Sequence, residues 1–377
     1  MIPGVVTRCT WESERFLISV PLFWRPVLSN LCYQIFQITK DCNSRDLLPR
    51  TLIDETDRIS KKIQSQRFRV AVVGEFSRGK STLINALLGE QIQPVRAIPC
   101  SGTLTVLKHG VRKRVVCRYR DGREEEISIA HYQEKAAIST NAALGNFIDE
   151  LAISEIDELI FEHPALDLCG SGVEIIDTPG LNEHPCRTTI TQKLLMNADA
   201  IIFLTHAQQS FNEGERNLLQ ELKTQLNDGK VDEAAENIFI VVNFWDLVST
   251  DIDCQQIQQR VKNILQGPNK MIRGENRIHF ISSKAALDAI LNKTEDRYLK
   301  SFRHFTESLE SFLTSERGYL EIQRSALRLA RLIQSSINEL HQAERFLDGQ
   351  LNLSDEEKNK FWNIWEKSAP RISGYSV

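Results

Sequence analysis

Arg69-Val-Ala-Val-Val-Gly74-Glu75-Phe76-Ser77-Arg78-Gly79-Lys80-Ser81-Thr82-Leu83 is the stretch on which the architecture turns. Its apolar run, residues 70–73, predicts a buried strand. Gly74 through Ser81 fits G-x-x-x-x-G-K-[ST] at every fixed position. Leu83, Ile84, Ala86, Leu87 and Leu88 then carry helical periodicity as far as Gly89. Strand, glycine loop and helix in that order make a phosphate site. Backbone N–H groups of the loop and of the helix N-terminus point at anionic oxygens. Gly74 and Gly79 let the main chain approach a phosphate with no side chain in the way. Lys80 supplies a mobile ammonium for the terminal phosphates, and the Ser81 hydroxyl is placed to bind Mg²⁺. The whole loop, Gly74, Glu75, Phe76, Ser77, Arg78, Gly79, Lys80, Ser81 and Thr82, is expected to wrap the nucleotide.

On either side the pattern is that of an α/β protein. Residues 46–64 read as a helix that leads into the strand at Val70. After the loop and its helix, residues 91–103 are rich in proline and polar residues and read as an irregular loop. Residues 104–107 and 114–119 alternate as strands. Asp121-Gly122 is a hairpin signal, with residues 126–129 as the returning strand. Residues 131–152 look helical or mixed, and 156–161 is another strand. Residues 200–204 and 238–242 are short, wholly apolar runs, as central strands of a parallel sheet should be. Helical stretches separate them, at 191–198 and 213–226. Residues 256–265 are helical and 278–281 form a last strand. Strands alternating with helices predict a mostly parallel, doubly wound sheet with ligands at the carboxyl ends of its strands.

The composition is that of a globular protein: 377 residues, 41% hydrophobic and 25% charged. That length suits one large domain with an appendage, or two domains. A net charge of −4 offers no global field for nucleic acid. The eight cysteines include no CxxC pair and read as reduced cytosolic thiols. Residues 16–38 are largely apolar with one charge, Arg25. Pro21, Pro26 and several polar residues speak against a membrane span, leaving a packed apolar segment or a mis-assigned start of translation. From about Ser301 glycine nearly vanishes. Ile322, Ala326, Leu329, Ile333, Ile337 and Leu340 then form one apolar stripe on a long helix. The division expected is 1–65 as an N-terminal helical and apolar segment, 66–300 as the nucleotide domain, and 301–377 as a C-terminal helical neck or truncated stalk.

Two further motifs lie at strand ends. In Gly172-Val-Glu-Ile-Ile-Asp177-Thr178-Pro179-Gly180-Leu181 the Asp177 carboxylate is the metal-side element and the Gly180 amide senses a γ-phosphate. Asn243-Phe244-Trp245-Asp246 suits guanine. The Asp246 carboxylate accepts from two guanine N–H donors together, which adenine does not offer. Its alternative role is to cap the next helix. Ser282-Ser283-Lys284 in the final loop completes a base pocket.

Gly74-Glu-Phe-Ser-Arg-Gly-Lys-Ser-Thr-Leu-Ile-Asn-Ala-Leu-Leu-Gly89, Pro99-Cys-Ser-Gly-Thr-Leu-Thr-Val-Leu107 and the segment from Gly172 to Asn182 together resemble the dynamin superfamily, in particular the bacterial dynamin-like proteins. The resemblance covers residues 66–320. It implies GTP hydrolysis to GDP and phosphate, Mg²⁺, homodimerisation of G domains across the nucleotide, and often membrane remodelling. Carried over residue by residue, it implies Lys80, Ser77, Ser101, Thr103 and Gly180 as catalytic positions. It implies Ser81, Asp177 and a hydroxyl from Ser101 or Thr103 as metal ligands. Ser101 is favoured by alignment and Thr103 by side-chain type.

The chain departs from that pattern in several places. Phe244 stands where GTPases carry a lysine that packs on the base, and an aromatic ring can stack there instead. Leu181 occupies the position of a water-orienting glutamine, as is usual in dynamins. Some relatives place an arginine finger where this chain has Ser77, so Arg78, one residue on, is expected to point outward. The chain stops at Val377, with room for one or two stalk helices and no obvious lipid-binding tip. The reading is therefore a dynamin-like GTPase, cytoplasmic and peripheral at the inner membrane face. Its expected partners are a second copy, membrane lipid or a longer dynamin-like protein, and no nucleic acid. The alternative is a GTP-dependent switch that binds a protein or ribosomal partner without remodelling membranes.

Overall fold

A computed structural model describes residues 14–45, 47–65, 67–93, 104–136, 156–178, 198–227, 231–351 and 360. A nine-stranded sheet runs in the order β4-β3-β5-β2-β6-β1-β7-β8-β9. Its centre is β1 (Phe68–Val73), parallel on one side to β6 (Val173–Asp177) and on the other to β7 (Ala200–His206). β8 (Ile238–Asn243) and β9 (Ile278–Phe280) extend that parallel half. The other half is mixed. β2 (Leu104–His109) runs antiparallel to β6 and parallel to β5 (Ile156–His163). β3 (Arg114–Tyr119) and β4 (Glu124–Ile127) close that edge as an antiparallel hairpin.

The apolar runs become central strands because both faces of the sheet are covered. Along β1, Val70 and Val72 join one core with Leu83, Ile84, Leu204, Ala286 and Phe305, while Ala71 and Val73 join another with Phe203, Leu219, Leu222 and Val261. The period-2 alternation of a strand sends successive side chains to opposite layers. The first layer holds α3 (Lys80–Leu88), α7 (Ser283–Asn292) and α8 (Arg297–Ser311). The second holds α5 (Glu213–Leu226) and α6 (Asp251–Gln266). A short helix α4 (Ile129–Ala136) follows the hairpin.

The hairpin turns at Gly122, whose φ of +87° lies in the left-handed region, and Tyr119 N–H donates to the Arg123 carbonyl at 2.9 Å. The returning strand starts earlier than its apolar residues suggest, at Glu124, where Arg118 pairs with Glu124 at 2.8 Å across the ladder. Charge pairing rather than burial sets this exposed edge. Among the described cysteines no disulfide is formed.

Two compact units divide the chain: Met1–Ser19 with Gln66–Glu321, and Val20–Ser65 with Ile322–Val377. In the second, α1 (Glu14–Ser44), α2 (Arg50–Ser65) and α9 (Arg317–Leu351) meet through Leu28, Cys32, Ile59, Ile63, Leu329 and Leu332. The stripe read in the sequence faces this cluster: Leu329 is buried in it, and Ile322, Ala326 and Ile333 pack against it. Ser325, Leu329, Leu332 and Ser336 are buried, whereas Ile337 is 41% exposed. The small serines let the helices approach, a preference that apolar periodicity does not register. α1 passes through Pro21 and Pro26, and no described helix is long and apolar enough to cross a membrane.

Candidate functional site

The motifs converge because β1, β6, β7, β8 and β9 are parallel and end on one edge. β1 hands over to the glycine loop at Gly74, where an added Cβ would lie 2.8 Å from the Leu204 carbonyl oxygen. The loop then turns through two left-handed residues, Ser77 (φ 59°) and Gly79 (φ 87°), before α3 starts at Lys80. Gly79 cannot be replaced freely: its Cβ would sit 2.3 Å from Asn243 Nδ2. α3 has no side-chain cap and no acidic residue in its first turn, so its N-terminal N–H groups suit an anion. The buried Lys80 ammonium curls back over the loop, donating to the Gly74 carbonyl at 2.9 Å and the Glu75 carbonyl at 3.0 Å. Phe76, Ser81 and Thr82 are half-buried, and Ser77 is exposed.

Asp177 ends β6 and is buried. Its Oδ1 accepts no hydrogen bond. Burial pushes its carboxyl up to about 6, against the pull of the Lys80 ammonium. Thr178 anchors the strand end by donating from Oγ1 to the Val72 carbonyl at 2.7 Å. An orphaned buried carboxylate oxygen beside the Lys80-Ser81 helix start fits a hard cation. No cluster of three or more His, Cys, Asp or Glu exists among the described residues. That donor set matches Mg²⁺, which takes one or two protein oxygens and fills its shell with phosphates and water.

Asn243 ends β8 and joins three loops. Its Nδ2 donates to the Arg78 carbonyl at 2.9 Å, and its Oδ1 accepts from the Ser283 N–H at 2.9 Å. Phe244 follows in the left-handed region at φ 62° and opens a 3₁₀ turn, Trp245–Leu247, that leaves Asp246 exposed. Asp246 does not cap the next helix, because Thr250 accepts from the Asp253 N–H in that role. In the last loop Ser282 caps α7 by accepting from the Ala285 N–H, Ser283 is buried, and Lys284 is exposed.

Arg78 does not point outward. Its side chain is 12% exposed, with Nε donating to Glu215 Oε1 at 2.7 Å and Nη2 donating to Glu75 Oε2 at 2.6 Å. Glu215 is fully buried and also accepts from Thr205 Oγ1 and the Phe211 N–H. Two carboxylates outbid solvent for the guanidinium, so its side chain is held inside the fold. Glu215, Asn212, Thr205 and His206 belong to this site and escaped the motif reading. The signal for the first two is a capping box, Asn212-x-x-Glu215, visible in the sequence. Ser101, Thr103, Gly180 and Leu181 lie outside the described residues.

A glycine loop, an acidic strand end and an Asn-x-x-Asp turn meeting at one edge of such a sheet make a P-loop nucleotide-binding fold. Residues 70–244 match the family described as "Dynamin family". Over those residues the chain is similar to that family, within a mixed, mostly parallel sheet with flanking helices. It is 28% identical over 372 residues to a "Bacterial dynamin-like protein" of Nostoc punctiforme, covering 89% of this chain and 52% of that one. It is 26% identical over 298 residues to an uncharacterised protein of Caldicellulosiruptor sp., covering 78% and 68%. Among solved structures, a chain of an oligomerised bacterial dynamin pair overlays with a TM-score of 0.48 at 19% identity, covering 91% of this chain and 52% of that chain. The chain thus spans about half the length of the Nostoc relative.

Proposed function

We propose that the protein binds guanine nucleotide with Mg²⁺ and hydrolyses GTP, and that its G domains pair across the nucleotide in a membrane-associated process at the cytoplasmic face. The observation that carries the nucleotide reading is Asn243, which ties the phosphate loop to the last loop and leaves Asp246 exposed beside them. Gly74 to Thr82 cradle the phosphates, with Lys80 on the β- and γ-oxygens. Ser81 and Asp177 hold Mg²⁺, whose charge neutralises the phosphates. Asp246 accepts from the guanine N–H donors, with Phe244, Ser282, Ser283 and Lys284 around the base. Ser101 or Thr103 and Gly180 complete the γ-phosphate side, and Ser77 faces a second G domain. The helices α1, α2 and α9 serve as a neck, while residues 301–321, read from the sequence as part of it, pack in the core of the sheet domain. Pairing of G domains rests on the family resemblance, as does the membrane role.

Calorimetry with GTP and ATP, each with and without Mg²⁺, tests the assignment. The expected result is GTP binding that needs Mg²⁺ and little affinity for ATP. Equal affinities would overturn the guanine assignment.

A further inference from the structure

The Phe244 ring stands where its backbone alone would not put it. A non-glycine residue in the left-handed region is uncommon, and a bulky one is held there only by its surroundings. Two neighbours hold this one. Its Cζ lies 3.6 Å from the position a Cβ on Gly79 would take, so the ring edge abuts the phosphate loop. One ring face lies on the His206 imidazole, with centroids 4.6 Å apart and planes 21° from parallel. Among the described residues no other ring stacks on Phe244, which is half-buried.

His206 is itself fixed. It ends β7, the strand beside β8, and its Nδ1 accepts from the Gln208 N–H at 3.2 Å across the short Ala207–Gln209 turn. That bond leaves the proton on Nε2 and the imidazole neutral. Arg78, Glu215 and Asp246 are the charged groups around it, and burial holds its pKa below the ordinary value.

We propose that His206 is a positioning residue of the base site. Its imidazole backs the Phe244 ring so that the ring's other face forms a rigid shelf for a purine base. The inference rests on the nucleotide reading above and adds to it a residue outside every motif. A lysine at position 244 would pack only its alkyl stem on a base, whereas a ring held flat from behind offers a full π surface. An aromatic shelf stacks any purine. It therefore contributes affinity, while choice of guanine falls to Asp246.

The test is GDP and GTP binding by calorimetry, with steady-state turnover, for wild type, His206→Ala, His206→Phe and Phe244→Lys, and for Phe244→Lys combined with His206→Ala. Loss of a stacking partner is expected to weaken both nucleotides about tenfold in His206→Ala, raising KM far more than it lowers kcat. His206→Phe, which keeps a ring behind the shelf, is expected to bind within about twofold of wild type on the same stacking argument. In the Phe244→Lys background, His206→Ala should change little, since no ring remains to support. Wild-type affinity in His206→Ala overturns the inference while leaving the nucleotide reading intact. So does equal weakening in His206→Ala and His206→Phe, or the same loss with and without the Phe244 ring. A wild-type protein that binds no purine nucleotide overturns both.

Discussion

Arg78 and Glu215 are 137 residues apart, and the Arg78 Nε donates to the Glu215 Oε1 at 2.7 Å inside the fold. The pair fastens the phosphate loop to the first turn of α5, and Asn243 holds the same residue by its carbonyl. Removing one member of a buried pair strands the other charge, at a cost of about 3–5 kcal/mol. Arg78→Ala is expected to lose about that much in urea denaturation. Arg78→Lys should lose less, because an ammonium keeps the charge but cannot fork between Glu75 and Glu215. Wild-type stability in Arg78→Ala would mean that the pair contributes nothing.

Asp177 makes the nucleotide-free protein sensitive to pH. Its carboxyl is raised from 3.8 to about 6 by burial, so the protonated form is favoured in the fold. A raised pKa contributes stability that is fully present below 3.8 and lost as pH rises through about 6, worth about 3 kcal/mol for a shift of this size. Asp177→Asn should therefore melt higher than wild type at pH 7.5 and show no advantage at pH 4. Mg²⁺ needs the carboxylate, so Mg²⁺-dependent GTP affinity in the wild type should fall as pH drops below about 6. Matching pH profiles for the two proteins would show that Asp177 does not titrate there.

Lys80→Ala is expected to abolish GTP binding, since it removes the cation poised over the Gly74 and Glu75 carbonyls. Asp246→Asn should weaken GTP and favour xanthosine triphosphate, whose base offers an acceptor where guanine offers a donor. Competition binding with the two nucleotides reads the exchange. An unchanged preference would remove Asp246 from the base site.

Gly79 and Gly122 share a φ of +87° but not their surroundings. Gly122→Ala meets nothing within 4 Å and should cost about 1 kcal/mol for the backbone alone. Gly79→Ala would place its Cβ 2.3 Å from Asn243 Nδ2 and must displace the bond to Arg78. It should lose nucleotide affinity as well as stability, and titration of both variants with GTP separates the two effects.

In the helical unit, Leu332→Ala is expected to cost about 2–5 kcal/mol, as large-to-small changes in a core do. Ile337→Ala, on an exposed position, should stay within about 0.5 kcal/mol of wild type. Urea melts that rank the two in the opposite order would put Ile337 rather than Leu332 in the buried seam.

Much of this was open to reading along the chain. β1, the glycine loop and α3 follow from an apolar run, two glycines and a period of 3.6, all within one window of sequence. The apolar strands β7 and β8 were legible because residues 200–204 and 238–242 are wholly apolar and are buried on both faces of the sheet. Asp177 and Asn243 stood out because each ends such a run. What escaped was of a different kind. The edge strand β4 was legible from its hairpin signal but read two residues late, because its first residues are acidic and exposed. The buried face of α9 also includes Ser325 and Ser336, which hydrophobic periodicity passes over. Arg78 looked solvated because its partner is far along the chain.

The chain by itself therefore determined the strand–loop–helix unit, the α/β class and the chemistry available at each strand end, because those depend on interactions between near neighbours. Only the tertiary structure decided that β2 runs against β6, that Arg78 turns inward to Glu215, and that His206 lies flat behind Phe244. Each of these is a pairing between residues brought together by sheet order. Local propensity is silent about such pairs, since their energy appears only once the strands between them have closed.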